Sequence, residues 1–262
     1  GLHIGGVTKR LPLEDEFVSD DDDDDDDGPG HRQANDEEDK PRSDQDLSSE
    51  SMSPFAHNTK LTTQLCLLRV YIATVQDKDG DKGKCTGTIA ADSRLPHGYG
   101  QMKYDYKLQY DGEWKGGQWH GYGRWMNPNG DRYEGTFDCD ARHGHGKYTW
   151  KNGNVYRGEF YHSKRQGKGA LRFANGNVYE GDFMNGVFEG QGRYRFDGGS
   201  YEGEWKNGLY HGRGILTFTD GSSFDGAFLD GVPHGQGEEK GADGSEGIWE
   251  HGISQTRPVW LD

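Results

Sequence analysis

Tyr201-Glu202-Gly203-Glu204-Trp205-Lys206-Asn207-Gly208-Leu209-Tyr210-His211-Gly212-Arg213-Gly214 decides the fold, because this phrase returns along the chain at a fixed interval. Its close, x-Gly-x-Gly, stands at His97–Gly100, His120–Gly123, His143–Gly146, Gln166–Gly169, Glu189–Gly192, His211–Gly214 and His234–Gly237. The steps are 23 residues, with one step of 22. Its opening, aromatic-x-Gly-x-aromatic, keeps phase at Tyr110–Trp114, Tyr133–Phe137, Tyr156–Phe160, Tyr179–Phe183, Tyr201–Trp205 and Phe224–Phe228, with an eroded copy at Ser245–Trp249. Two motifs held in register over six steps mark a repeat array.

Within a unit the spacing is that of strands. In Tyr133-Glu134-Gly135-Thr136-Phe137, the rings and the glycine fall on one face, and Glu134 and Thr136 on the other. Asn129-Gly130, Asn152-Gly153, Asn175-Gly176, Asp197-Gly198 and Asp220-Gly221 suit two-residue turns in which both central residues take positive φ. Each 23-mer therefore reads as one β-hairpin. The prediction is an all-β fold: about seven tandem hairpins joined into one antiparallel sheet. Glycine weakens a strand, so its recurrence needs a reason, and the reading is space for a neighbouring ring to lie flat on the backbone. The opposite face alternates acids (Asp111, Glu134, Glu180, Glu202, Asp225) with bases (Lys147, Lys168, Arg193, Arg213), as cross-strand pairing requires. Glu239 and Gly241, where earlier units carry Leu171 and Phe173, predict a polar end that stops the array.

Outside the array the composition changes. The chain has 262 residues, 30% of them hydrophobic but 12% aromatic, and 43 are glycine. That balance argues against an enzyme core built from Leu, Ile and Val. Residues 1–60 hold 18 acids and 6 bases, including the unbroken run Asp20–Asp27. Such a segment buries little and is predicted to be a disordered acidic tail. Residues 61–96 read as a transitional strand or cap, Leu65–Val75, followed by a flexible linker around Asp77–Gly83. That linker fails the calcium-loop pattern, because Lys82 and Thr88 stand where Gly and Glu are required. The array proper is placed at 97–252 and a C-terminal tail at 253–262. Three cysteines without C-x-x-C spacing, no apolar stretch of about 18 residues and no signal segment predict a soluble, intracellular protein.

The units have the form Tyr-Glu-Gly-x-Phe/Trp-x-x-Gly-x-x-His-Gly-x-Gly, and over residues 97–252 they resemble MORN repeats (membrane occupation and recognition nexus). Gln166 and Glu189 in place of His, Phe224 in place of Tyr and the eroded last unit depart from the pattern. The resemblance implies that this antiparallel sheet is elongated, twisted and single-layer, with an aromatic, Gly-lined groove. It also implies scaffolding roles at cytoskeletal, ciliary or membrane-contact structures in the cytoplasm, and a proposed affinity for anionic phospholipids. Such repeats also accompany catalytic domains, phosphatidylinositol-phosphate kinases among them. Nothing in residues 1–96 resembles one, so an alternative is a regulatory fragment of a larger enzyme.

No residue set supplies catalytic machinery, a cofactor site or a metal site. Histidines 97, 120, 143, 211 and 234 recur two strands apart, about 9–10 Å. Ligands on one zinc each lie only ~2.1 Å from it, so a hydrogen-bonded role at the turn is the reading. The main functional expectation is a partner helix or extended peptide lying in an open groove of Tyr110, Trp114, Tyr133, Phe137, Tyr156, Phe160, Tyr179, Phe183, Tyr201 and Trp205. The competing reading is that these rings satisfy one another and the groove is shut. A second expectation is an anionic headgroup patch of Arg157, His162, Lys164, Arg165, Lys168 and Arg172. A protein partner is expected, with anionic phospholipid and a homodimer as further options, and no nucleic acid.

Overall fold

The computed structural model describes residues 2–4, 7–9, 67–250 and 253–256. The acidic run Asp20–Asp27 lies outside the described residues, as does the end of the predicted C-terminal tail. Every regular element among the described residues is a strand: β1 (Leu2–Ile4), β2 (Val7–Lys9), β3 (Leu67–Gln76), β4 (Lys82–Ala90), β5 (Pro96–Tyr104), β6 (Gln109–Lys115), β7 (Gln118–Met126), β8 (Arg132–Asp138), β9 (Ala141–Thr149) and β10 (Val155–Tyr161). The series continues with β11 (Lys164–Arg172), β12 (Val178–Met184), β13 (Val187–Phe196), β14 (Gly199–Lys206), β15 (Leu209–Phe218), β16 (Ser223–Leu229), β17 (Val232–Lys240), β18 (Glu246–Glu250) and β19 (Ile253–Thr256).

β1 and β2 pair with each other. From β3 to β19, each strand pairs antiparallel with its neighbours in the chain. Among the described residues no pairing register joins β19 back to β3, so this is an open ribbon rather than a closed barrel. At about 4.8 Å per strand its contour is on the order of 80 Å. With the Asn-Gly and Asp-Gly turns at their tips, the seven hairpins that the repeat predicts are β5–β6 through β17–β18.

Two boundaries move. Asp77-Lys78-Asp79-Gly80-Asp81, expected to be a flexible linker, is an ordered turn closed by Asp77 N–H to Asp81 O (3.0 Å) and Gly80 N–H to Asp77 O (3.2 Å). The same closure recurs at Asn127–Asp131. Beyond that turn, Cys85 and Gly87 pair with Met102 and Gly100 as Tyr110 and Gly112 pair with Trp125 and Gly123. β3–β5 therefore carry a further unit with Cys85 and Ile89 in the ring positions, which an aromatic-spaced search passes over. At the other end, Ile253–Thr256 form β19 on β18, so the array runs past residue 252.

The strands are not straight. In an extended strand, residues i and i+4 lie about 13 Å apart. Yet Tyr110 and Trp114 have ring centroids 4.9 Å apart, Tyr133 and Phe137 4.9 Å, and Tyr156 and Phe160 5.1 Å. Each strand folds toward its ring side at the central glycine, where the pairing register also shifts. In β7 the shift leaves Gly121 and Tyr122 between the pairs Glu113↔His120 and Gly112↔Gly123. Gly121 has φ +56°, a left-handed conformation that glycine adopts without strain. The first glycine of x-Gly-x-Gly thus serves the bulge, and the second serves the ring.

Candidate partner-binding face

Tyr156 shows how a ring is held. It lies across the cross-strand glycine pair Gly158↔Gly169, where a Cβ on Gly169 would stand 2.5 Å from its ring. Its hydroxyl donates to Glu159 O at 2.9 Å, as Tyr110, Tyr133, Tyr179 and Tyr201 donate to the carbonyl three residues on. Burial pushes all five phenols well above the ordinary tyrosine range. The second ring of each unit then bridges two units edge-on. Phe160 meets Tyr133 and Tyr156, Phe183 meets Tyr156 and Tyr179, and Trp205 meets Tyr179 and Tyr201, all at 5.0–5.3 Å. Above them Trp119 stacks on Tyr110, Phe188 on Tyr179 and Tyr210 on Tyr201. In the units without such a ring, the Arg142 guanidinium lies over Tyr148 and Phe160, and that of Arg165 over Trp150 and Phe183.

That arrangement corrects the open-groove expectation. Tyr110, Trp114, Tyr133, Phe137, Tyr156, Phe160, Tyr179, Phe183, Tyr201 and Trp205 are 0–4% exposed. Folding the strand at glycine lets the rings cover one another, so they form the core of the ribbon and a partner cannot touch them while the fold is intact.

The predicted headgroup cluster is likewise divided. Arg157, Lys168 and Arg172 are exposed on the face away from the rings, whereas Arg165 is turned to the ring side. His162 and Lys164 flank or form the hairpin turn, and Lys168 Nζ pairs with Asp182 at 2.6 Å. The six do not form one surface.

Turn geometry accounts for His97 and for the two histidine replacements, Gln166 and Glu189. The tight two-residue turns lie at Gly116-Gly117, Cys139-Asp140, His162-Ser163, Asn185-Gly186, Asn207-Gly208 and Asp230-Gly231, with positive φ at both positions. At Asn129-Gly130, Asn152-Gly153, Asn175-Gly176 and Asp220-Gly221 only the glycine has positive φ, and at Asp197-Gly198 neither residue has, which corrects the expected turn type. At three of the six tight turns the first N–H donates to the side chain at the histidine position of the preceding unit. Gly116 donates to His97 Nδ1 (3.2 Å), Asn185 to Gln166 Oε1 (3.1 Å) and Asn207 to Glu189 Oε2 (3.0 Å). Gln166 and Glu189 thus accept as His97 does, whereas among the described residues His143 Nδ1 and His211 Nδ1 make no hydrogen bond and His120 Nδ1 lies 3.3 Å from Asp138. The second N–H bonds backward too, as from Ser163 to Arg142 O and from Gly186 to Arg165 O.

The outer face carries the charges as one row across the sheet. Asp111↔Arg124↔Glu134↔Lys147↔Arg157↔Ala170↔Glu180↔Arg193↔Glu202 are successive cross-strand partners. Acids and bases alternate as predicted until Arg157, where the unit places a cation in the acid's position. One row closer to the tight turns, acids have a structural task. Glu113, Glu159, Asp182 and Glu204 accept the bulge N–H of Tyr122, Lys168, Gln191 and Arg213 at 3.0–3.1 Å.

At its N-terminal end this face is hollowed. Two adjoining depressions of about 530 and 470 Å³ share Gln101 and Asp111 and extend from Arg69 on β3 to Thr149 on β9. Tyr99 (64% exposed) lines the first, and Tyr122 (50% exposed) stands one unit further on, beside the second. Their hydroxyls donate to Asp111 (2.8 Å) and Glu134 (2.9 Å). Those bonds hold both phenols above the usual range, and the Tyr122 and Arg124 donors hold the Glu134 carboxyl below its own. Both tyrosines fill the x of Gly-x-Gly, a position the sequence reading assigned to a solvated face. In later units it is His145, Lys168, Gln191, Arg213 and Gln236, so only two adjacent units present a ring there.

The MORN repeat profile matches six consecutive segments, 110–132, 133–155, 156–178, 179–200, 201–223 and 224–246, which together make up more than half of the chain. This chain belongs to the MORN repeat family. No curated protein matches it. Among solved structures, this MORN array is similar to the SAS-4 (dCPAP) TCP domain of Drosophila melanogaster in complex with a proline-rich motif of Ana2 (dSTIL). The two are 14% identical over 78% of this chain and 97% of that one, with a TM-score of 0.37. It is also similar to a mutant of the TCP10 domain of Danio rerio CPAP, 10% identical over 73% of this chain and 98% of that one, again with a TM-score of 0.37.

Proposed function

We propose that this MORN array is a non-catalytic protein-binding scaffold that receives an extended peptide across its outer face, in the trough between β3 and β9. The observation that carries the reading is the pair Tyr99 and Tyr122, two exposed rings in equivalent positions of adjacent units, each pinned by a carboxylate. A ring that is already oriented loses little freedom on contact, which is why tyrosine is favoured at binding surfaces. The trough is elongated and runs across the strands, so it suits an extended segment more than a compact ligand.

Peptide-library selection on the full chain, followed by affinity measurement, tests this. Tyr99→Ala with Tyr122→Ala is expected to weaken the selected peptides at least tenfold with unfolding unchanged, since both side chains are exposed. Ile215→Ala, on the outer face far from the trough, serves as the control. Equal affinity for the double variant and the parent rejects the reading.

A further inference from the structure

Three consecutive strands carry a charge opposite to that of the rest of the molecule. Residues 141–172, spanning β9, β10 and β11, hold eight lysines and arginines, six of them once Arg142 and Arg165 over the rings are set aside, and a single acid, Glu159, in a chain whose net charge is −15. On the outer face the centre of this band is Arg157, opposite Lys147 on one side and Ala170 on the other. Acids stand in this position at Asp111, Glu134, Glu180, Glu202 and Asp225. Like charges placed directly opposite destabilise a sheet, so the substitution has no merit for the fold. Among the described residues no carboxylate comes within ion-pair distance of Arg157 or Arg172, while Arg124, Lys168, Arg193 and Arg195 each have one.

We infer that this band on β9–β11, centred on Lys147, Arg157 and Arg172, is the docking surface for the chain's own acidic run, Asp20–Asp27. Charge is the first argument. Residues 1–60 carry a net −12, and this band is the one stretch of the array with a strongly opposite sign. Reach is the second. Asp27 precedes Leu67, the first residue of β3, by 40 positions, and Asp20 follows Lys9, the last residue of β2, by 11. Seven strand spacings, about 34 Å, separate β10 from β3 on one side and from β17, which β1 touches, on the other. Eleven extended residues reach about 36 Å, so both links are long enough for the run to lie on β9–β11. The attraction is between charges exposed to solvent, so salt screens it over about 10 Å at 0.1 M.

Zero-length carbodiimide cross-linking of the full chain, read by mass spectrometry on the monomer band, tests the contact. At low salt, carboxylates of residues 20–27 are expected to join Lys147, Lys164 and Lys168 at least fivefold more often than the exposed Lys84, Lys103, Lys206 and Lys240. The preference is expected to vanish at about 0.5 M salt. It is also expected to vanish in Arg157→Glu with Arg172→Glu, two exposed positions whose exchange leaves the ring core untouched. Links spread evenly over all these lysines, or links found only between two copies of the chain, overturn the inference. A second version with Asp20–Asp27 replaced by asparagine keeps the length and removes the charge. If Glu14, Asp15 and Glu16 then still show the preference for band lysines, the assignment to the aspartate run fails.

Discussion

At Gly169 a side chain of one hydrogen atom is required for space alone. A methyl there would stand 2.5 Å from the ring of Tyr156, which has no room to retreat between its glycine bed and Phe160. Gly169→Ala is expected to cost about 2–3 kcal/mol in denaturant unfolding. Gly221→Ala meets nothing within 4 Å and suffers only from φ +88°, so about 1 kcal/mol is expected. The two results together separate room from backbone freedom. Asp77 poses an electrostatic problem of the same size. It is 3% exposed, and burial together with its neighbour Asp81 raises its carboxyl to about 6, although Asp79 and Asp81 donate backbone N–H groups to it. Below about pH 4 it is neutral in both folded and unfolded chains; above pH 6 it is charged in both, and the buried charge then opposes folding. Its contribution to stability therefore falls as pH rises from 4 to 6. Asn127 fills the equivalent place in the next turn and donates its amide to Asp131 at 3.2 Å. Asp77→Asn is expected to stabilise the protein at pH 7 by roughly 1–2 kcal/mol, with the gain shrinking toward pH 4. A gain independent of pH rejects the electrostatic account.

The element that defines the family is a bent hairpin, and its bend was only half legible in the sequence. Alternation in Tyr133–Phe137 placed the rings on one face and Glu134 on the other, and both assignments hold. The closeness of Tyr133 to Phe137 was not legible, because period-2 reasoning assumes a straight strand, and a bulge is a local break in that period. The open groove was drawn from that straight strand; the fold at glycine shuts it. Turns failed for a related reason. Asn-Gly was the stronger local signal, whereas Cys139-Asp140 and His162-Ser163 owe their positive φ to bonds from the neighbouring unit. Asp140, for example, accepts from Trp119 N–H at 2.6 Å. The polar end was also misjudged: Glu239 is buried and accepts from the Trp249 indole at 2.6 Å. Acids at the bulge give the clearest element-scale prediction. Glu204→Ala leaves the Arg213 N–H without its acceptor and is expected to cost about 1–2 kcal/mol, while Glu202→Ala, one residue away on the open row, is expected to stay within about 0.5 kcal/mol.

On the scale of the whole molecule, an array in which each unit touches only its neighbours has a stability set by its interfaces, and its ends matter most. The repeat signal begins at His97, where sequence spacing alone would place the cut. The structure argues otherwise. β4 covers β5 with Cys85 and Ile89, and Gly87 lies so close to Gly100 that no side chain fits between them. Lys78 N–H also bonds Gly117 O, tying the first turn to the tight turn of the next unit. A version starting at residue 97 would uncover Met102 and Tyr104, which are 0% and 4% exposed, and would leave β5 as a bare edge. A version starting at residue 64 keeps both strands. The shorter version is expected to melt lower and to self-associate at micromolar concentration, whereas the longer one melts with the full chain. Because coupling is between neighbours, amide exchange on β14–β17 is expected to be alike in the two versions, with the loss of protection confined to β5–β7. Equal melting and a monomeric short version would remove β3 and β4 from the core, and loss of protection reaching β17 would mean that the ribbon unfolds as one unit rather than link by link.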